Sequence, residues 1–266
     1  MTHLFFSLTL GLYICATAAY LACLFRTSPG LTLWASRLLA SGCIAHILST
    51  VNLASLSKHL PLTNMQESLS FFSLMIVGVF IFFDRRYKVT TLGSFVTPVA
   101  LLMLIVSSTM HGGVRQLPPI LQSNWFWFHA MLAFFSYAAF TIACGVAVMY
   151  LIQRHFLKAK NFGALFQKLP SLETLDEISY RCLAVGFPML TFAIISGAIW
   201  SEQAMGSYWV WDPKQTWSLI TWLIYAALLH GRLTIGWRGK RAALLSIVGF
   251  IVLLITFFGM KHSITW

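Results

Sequence analysis

The sequence predicts an all-α, polytopic integral membrane protein: a helical bundle of about eight transmembrane helices with both termini on the outer (periplasmic) side. Three observations predict it. The first is composition, since 58% of the 266 residues are hydrophobic and 9% are charged, whereas a soluble domain carries about a quarter charged residues. So few ionisable groups cannot clothe a water-facing surface, which excludes a disordered chain, a secreted disulfide scaffold and a water-soluble enzyme. The second is segmentation: eight spans of ~20 apolar residues use roughly 160 positions and leave about 106 for short connections. The third is the distribution of basic residues among those connections.

Apolar runs bounded by charges or turn residues place the candidate helices at about 4–25, 32–54, 67–84, 91–110, 124–153, 181–200, 216–233 and 242–260. The first run is expected to be a retained span, because Met1-Thr2-His3 supplies no basic leader and no small-residue cleavage site lies near Arg26. The second contains Arg37, close enough to its start for the guanidinium to reach the headgroups. Arg85, Arg86 and Lys88 separate the third and fourth. Between the fifth and sixth, Ser171 after Pro170 is expected to cap a short interfacial helix with acidic residues near its start. The sixth and seventh are joined by residues 201–217, an outward-facing loop within what reads as a single membrane domain over residues 1–266.

Alternate connections divide the charge unequally. One side holds Arg26, Arg37, Arg85, Arg86, Lys88, Arg154, Lys158, Lys160, Lys168, Arg181, Arg232, Arg238, Lys240 and Arg241, which is 14 of the 18 basic residues; the other holds Lys58, Arg115, Lys214 and Lys261. Basic residues gather in short cytoplasmic loops, so both termini are expected to face outward. The net charge of +11 is therefore read as a topology signal and not as a nucleic-acid signal. The five cysteines lie in or beside apolar stretches with no pair at CxxC spacing, which argues against disulfides and zinc sites.

The loop 201–217 is unlike a simple turn. Tyr208, Trp209, Trp211 and Trp217 place four large aromatic faces in ten residues, punctuated by Gly206 and by Asp212-Pro213-Lys214. An interfacial aromatic belt explains a single Trp, but belts scatter over all helix ends. A cluster flanking a Gly and an Asp-Pro turn suits a flat, apolar ligand bound by stacking. His129, in the first turns of the fifth helix, and His262, just past the eighth, fall on the same side as this loop. Each alone is commonly an interfacial polar residue. Together with the loop they suit two imidazoles ligating the iron of a planar aromatic group. His230 follows Trp217 by 13 residues, a rise of ~20 Å, and so lies toward the inner half of the membrane. There it reads either as an intramembrane functional group or as a marker of the inner interface. His46 could pair with His230, or simply hydrogen-bond a neighbouring helix, the reading we favour.

The run Gly206-Ser207-Tyr208-Trp209-Val210-Trp211-Asp212-Pro213-Lys214, followed by Thr216-Trp217 and by Leu229-His230, resembles the tryptophan-rich WWD signature of the haem-handling proteins of cytochrome c assembly. It is most similar to the CcsA (ResC) type of cytochrome c synthase subunit. Stretches 61–69 and 171–181 resemble that type as well, so the likeness extends from about residue 60 to the C-terminus. There are two departures: Met205 precedes Gly206 where relatives often have Trp, and Gln215 stands where they usually have Glu.

The resemblance implies haem b as bound substrate or cofactor, with His129 and His262 as axial ligands, His230 as a membrane haem site, and Gly206, Tyr208, Trp209, Trp211, Asp212, Pro213, Lys214 and Trp217 as the surrounding haem-binding loop. It implies attachment of haem to the CxxCH cysteines of apocytochrome c, by a subunit active with a ResB/CcsB-type membrane protein and served by a thiol-reducing pathway. The implied setting is a bacterial inner membrane or its thylakoid equivalent, with the loop on the periplasmic or lumenal side. Alternatives are a haem exporter, a regulatory membrane protein of tetrapyrrole biosynthesis, and an electron-transfer cytochrome that keeps its haem. The intact Trp209-Val210-Trp211-Asp212 run counts against the regulatory alternative.

Overall fold

A computed structural model describes residues 2–26, 28–110 and 121–259. Among the described residues the chain is helical, without strands. The helices are α1 (Thr2–Phe25), α2 (Pro29–Ser57), α3 (Met65–Tyr87), α4 (Gly93–Thr109), α5 (Asn124–Lys158), α6 (Ala164–Lys168), α7 (Leu172–Met205), α8 (Pro213–His230) and α9 (Lys240–Leu254). Short wider turns, Gly231–Ile235 and Ile255–Gly259, extend α8 and α9. Eight of these helices are long and apolar enough to cross a membrane, which makes the chain an integral membrane protein.

The helices follow the apolar runs, and the differences have local causes. No separate interfacial helix follows Ser171. Its hydroxyl does cap, accepting from Thr174 N–H at 3.2 Å, but the helix it starts is the 34-residue α7. The polar segment 172–181 contains strong helix formers and neither Gly nor Pro, so nothing stops propagation into the apolar segment. At its other end α8 begins at Pro213, three residues earlier than the apolar run, because Asp212 caps it and Pro is preorganised for the first helical position.

The chain forms two compact units. The first comprises the described residues of 1–118 with 156–170. Here α1 packs along α2 and α4, and α3 packs on α4. His46 has no exposed surface, and its ring nitrogens lie 3.2 Å from Tyr13 Oη and 2.9 Å from Ser70 Oγ. It is a satisfied core histidine tying α2 to α1 and α3. Lys168, at the end of α6, donates from Nζ to the carbonyls of Cys23 and Leu24 at 2.9 and 3.0 Å, capping α1 with a cation at its negative end. Asn64 caps α3 by accepting from Glu67 N–H, and the Glu67 carboxylate accepts in return from Thr63 N–H and Oγ1, both at 2.8 Å.

The second unit comprises the described residues of 119–155 and 171–266. Its helices are held by alternating small and aromatic residues. Gly186 of α7 lies against the ring of Phe140 of α5; that ring stacks on Tyr225 of α8 at 3.6 Å and 5°; and Tyr225 lies against Gly249 of α9. Each glycine removes the Cβ that would meet the facing ring at 2.8 or 2.9 Å. Polar bonds reinforce the stack: Ser136 Oγ donates to Gly186 O at 2.9 Å, and Trp222 Nε1 donates to Thr191 Oγ1 at 2.9 Å.

Candidate functional site

The end turns of helices in the second unit surround one cavity. The start of α5 contributes His129, Ala133 and Tyr137. The end of α7 contributes Ala193, Gly197, Trp200 and Ser201, the following loop Trp209, the start of α8 Lys214, Gln215 and Ser218, and the turn after α9 Thr256. The empty space is about 610 Å³ counting its open mouth. The wall is mostly apolar.

His129 is oriented by α7. Its Nδ1 lies 2.7 Å from Ala193 O. A carbonyl only accepts, so Nδ1 carries the proton, and in the neutral ring Nε2 then keeps its lone pair, the tautomer that metal-ligating histidines adopt. Close approach of the two helices depends on Gly197, where a Cβ would come 2.7 Å from His129 Nδ1 and 2.9 Å from Cε1. Ala193, Gly197 and Ser201 recur at one-turn spacing and make the strip of α7 on which the imidazole lies.

The loop is built from caps and one buried amide. Gly206, at φ 71°, ends α7 in the left-handed region that favours glycine, donating its N–H to Glu202 O at 2.8 Å. Asp212 is buried and accepts from Gln215 N–H at 2.6 Å, capping α8. Gln215 is buried too. Its Oε1 accepts from Val210 N–H at 2.9 Å and its Nε2 donates to Ser201 Oγ at 3.3 Å, while Ser201 Oγ donates to Ser207 O at 2.7 Å. One amide thus ties the end of α7, the loop and the start of α8. Trp211 stands edge-on to Trp209, with centroids 5.7 Å apart, at φ 57°.

These constraints sort the expected residues. His129, Trp209 and Lys214 line the same cavity. Asp212, Pro213 and Gly206 shape the turn beside it. Tyr208 and Trp211 are 62% and 68% exposed and are not part of the cavity wall, and neither is Trp217. Trp217 lends its carbonyl to Thr221 and Thr256, joining α8 to the turn after α9. His230 is the last residue of α8, exposed at the other end of that helix. His262 lies outside the described residues. Sequence reasoning missed Ala193, Gly197 and Ser201, although their spacing of four was a readable signal. It noted Gln215 only as a lost charge.

The pattern of the cytochrome C assembly protein family matches residues 36–265 of the chain. This chain belongs to the cytochrome c assembly protein family. Among its relatives is the cytochrome c biogenesis protein CcsA of Guillardia theta, 36% identical over 258 residues that cover 88% of this chain and 85% of that protein. The CcsA of Microcystis aeruginosa is 32% identical over 282 residues, covering 86% and 85%. Among solved structures, the cytochrome c haem lyase CcmF superposes with a TM-score of 0.74 at 17% identity, over 99% of this chain and 47% of that one. The chain thus spans about half the length of that structure, and the likeness is one of fold. In this member of the assembly family, Gln215 is a structural cross-link whose amide donor is used.

Proposed function

We propose that this protein is a membrane haem-handling subunit of a cytochrome c synthase, and that it holds haem b on the outer face of the membrane for attachment to apocytochrome c. The observation that carries the proposal is His129: a histidine in the metal-ligating tautomer, at the wall of an apolar cavity shared with Trp209 and Lys214. The donor set fits a haem. Nε2 of His129 has the lone pair an axial ligand needs, the apolar wall suits a porphyrin face, and an indole and an ammonium stand at its edge. His262 is proposed as the second axial ligand, and His230 as a membrane site through which haem is passed from the inner side.

The vinyl groups of bound haem supply the reactive carbons. Each cysteine thiol of a CxxCH segment would add across one vinyl double bond: the S–H bond and the π bond break, a C–S bond and a C–H bond form with the thiol proton going to carbon, and there is no leaving group. No oxidant or reductant is consumed, but the thiols must arrive reduced, hence a thiol-reducing pathway. None of the five cysteines of this chain lines the cavity. Its residues are therefore assigned to positioning, which holds two partners in register. Exposed Tyr208 and Trp211 are left to face the peptide or a ResB/CcsB-type partner subunit. The proposed setting is a bacterial inner membrane or thylakoid equivalent, with the loop on the periplasmic or lumenal side.

His129→Ala, purified with its partner subunit, is expected to lose most bound haem by its Soret absorption and to abolish c-type cytochrome maturation in cells. Wild-type haem content together with full maturation in that variant would overturn the assignment. Normal haem loading without maturation in the unsubstituted protein would favour an exporter.

A further inference from the structure

We propose that Lys214 Nζ and Trp209 Nε1 form a carboxylate-binding subsite at the edge of the His129 cavity, which takes one acidic side chain of the bound tetrapyrrole. The inference rests on the reading that this cavity takes haem. Two separate observations carry it.

Trp209 Nε1 is buried from solvent and has no hydrogen-bond partner. A buried donor left unpaired is costly and calls for a partner that the protein does not supply. Lys214 makes no hydrogen bond or ion pair among the described residues, yet it lines the same cavity. An ammonium at an apolar wall is stabilised by an anion within hydrogen-bonding reach. Asp212 is close enough to act on it electrostatically, but the Asp212 carboxylate is committed to the cap of α8 through Gln215 N–H.

The loop brings these two donors to one cavity. Trp209 and Lys214 are five residues apart, and the Gln215 amide pins the backbone between them by holding Val210 N–H. The Ser and Thr hydroxyls around the cavity are engaged: Ser201 with Ser207 O, Ser218 with Gln215 O, and Thr256 with Val252 O. Lys214 and Trp209 offer one cationic and one neutral N–H donor, a pair that matches the two oxygens of a carboxylate.

The test titrates the full-length protein, in neutral maltoside micelles so that the tetrapyrrole supplies the only added carboxylates, with haem and with haem dimethyl ester. Soret absorption reports binding. The wild type is expected to bind haem about ten- to a hundredfold more tightly than the ester. Lys214→Met and Trp209→Phe, which keep bulk and ring, should each reduce that preference, read as the ratio of haem to ester affinity within the same variant. Equal affinity of the wild type for the two compounds would overturn the subsite and leave the haem reading standing. A preference undiminished in both variants would also overturn it. If neither compound binds the wild type, the haem reading falls and the subsite with it.

Discussion

At the scale of single residues, the site depends on how closely a ring and a backbone approach. Gly197→Ala places a methyl group where His129 now lies, 2.7 Å from Nδ1, so the ring must turn and its bond to Ala193 O is lost. Alanine favours the helix by ~0.5–1 kcal/mol, while overpacking costs ~1–3 kcal/mol, so thermal stability should fall only modestly. The expected outcome is a weakened and shifted Soret band at near-normal melting temperature. An unchanged haem spectrum would show that the approach of α7 does not orient His129. Gln215 offers a second test. Glutamate at that position keeps an acceptor for Val210 N–H but loses the donor to Ser201 Oγ, whose own proton goes to Ser207 O. Gln215→Glu should destabilise by ~1–2 kcal/mol, read as a lower melting temperature in detergent. Equal or higher stability would mean that this hydrogen-bond chain contributes nothing.

At the scale of elements, α7 and α8 are tied at both ends by different chemistry. Near the cavity the tie is the neutral amide network of Gln215. At the far end Arg232, in the turn after α8, pairs with Asp176 of α7 at 2.8 Å, with 5% and 19% of the two side chains exposed. Asp176 also accepts from Gly239 N–H at 3.1 Å, and the Arg232 guanidinium sits 5.4 Å over the Tyr180 ring. Asp176→Ala leaves a buried guanidinium and a backbone donor without their acceptor, a loss of ~3–5 kcal/mol. The measurement is thermal unfolding of the purified protein; a change below about 1 kcal/mol would class the pair with exposed ones. The sequence marked 171–181 as characteristic but read it as a separate surface helix. The error has a physical cause: hydropathy reports where a helix meets lipid, not where it begins. A polar first third with good helix formers is invisible to that signal.

At the scale of the whole molecule, the basic residues give an orientation that can be measured. Fourteen of 18 basic residues fall in one set of connections by the sequence reading. A periplasmic-type phosphatase fused within the loop between α7 and α8 should therefore be active, and the same fusion between α8 and α9 inactive. The reverse pattern would invert the membrane side proposed for the cavity.

The sequence by itself determined that the chain lives in a membrane, where its eight apolar helices lie, and which aromatic loop to inspect, because these depend on composition and on patterns within one segment. The tertiary structure decided which of the loop's residues share a cavity. Trp209 and Lys214 line it with His129, whereas Tyr208 and Trp211 turn outward. That outcome depends on the left-handed backbone of Gly206 and Trp211, on the Asp212 cap and on the Gln215 bonds to two other segments. Such bonds join residues whose proximity exists only after the helices pack, so no periodicity along the chain encodes them.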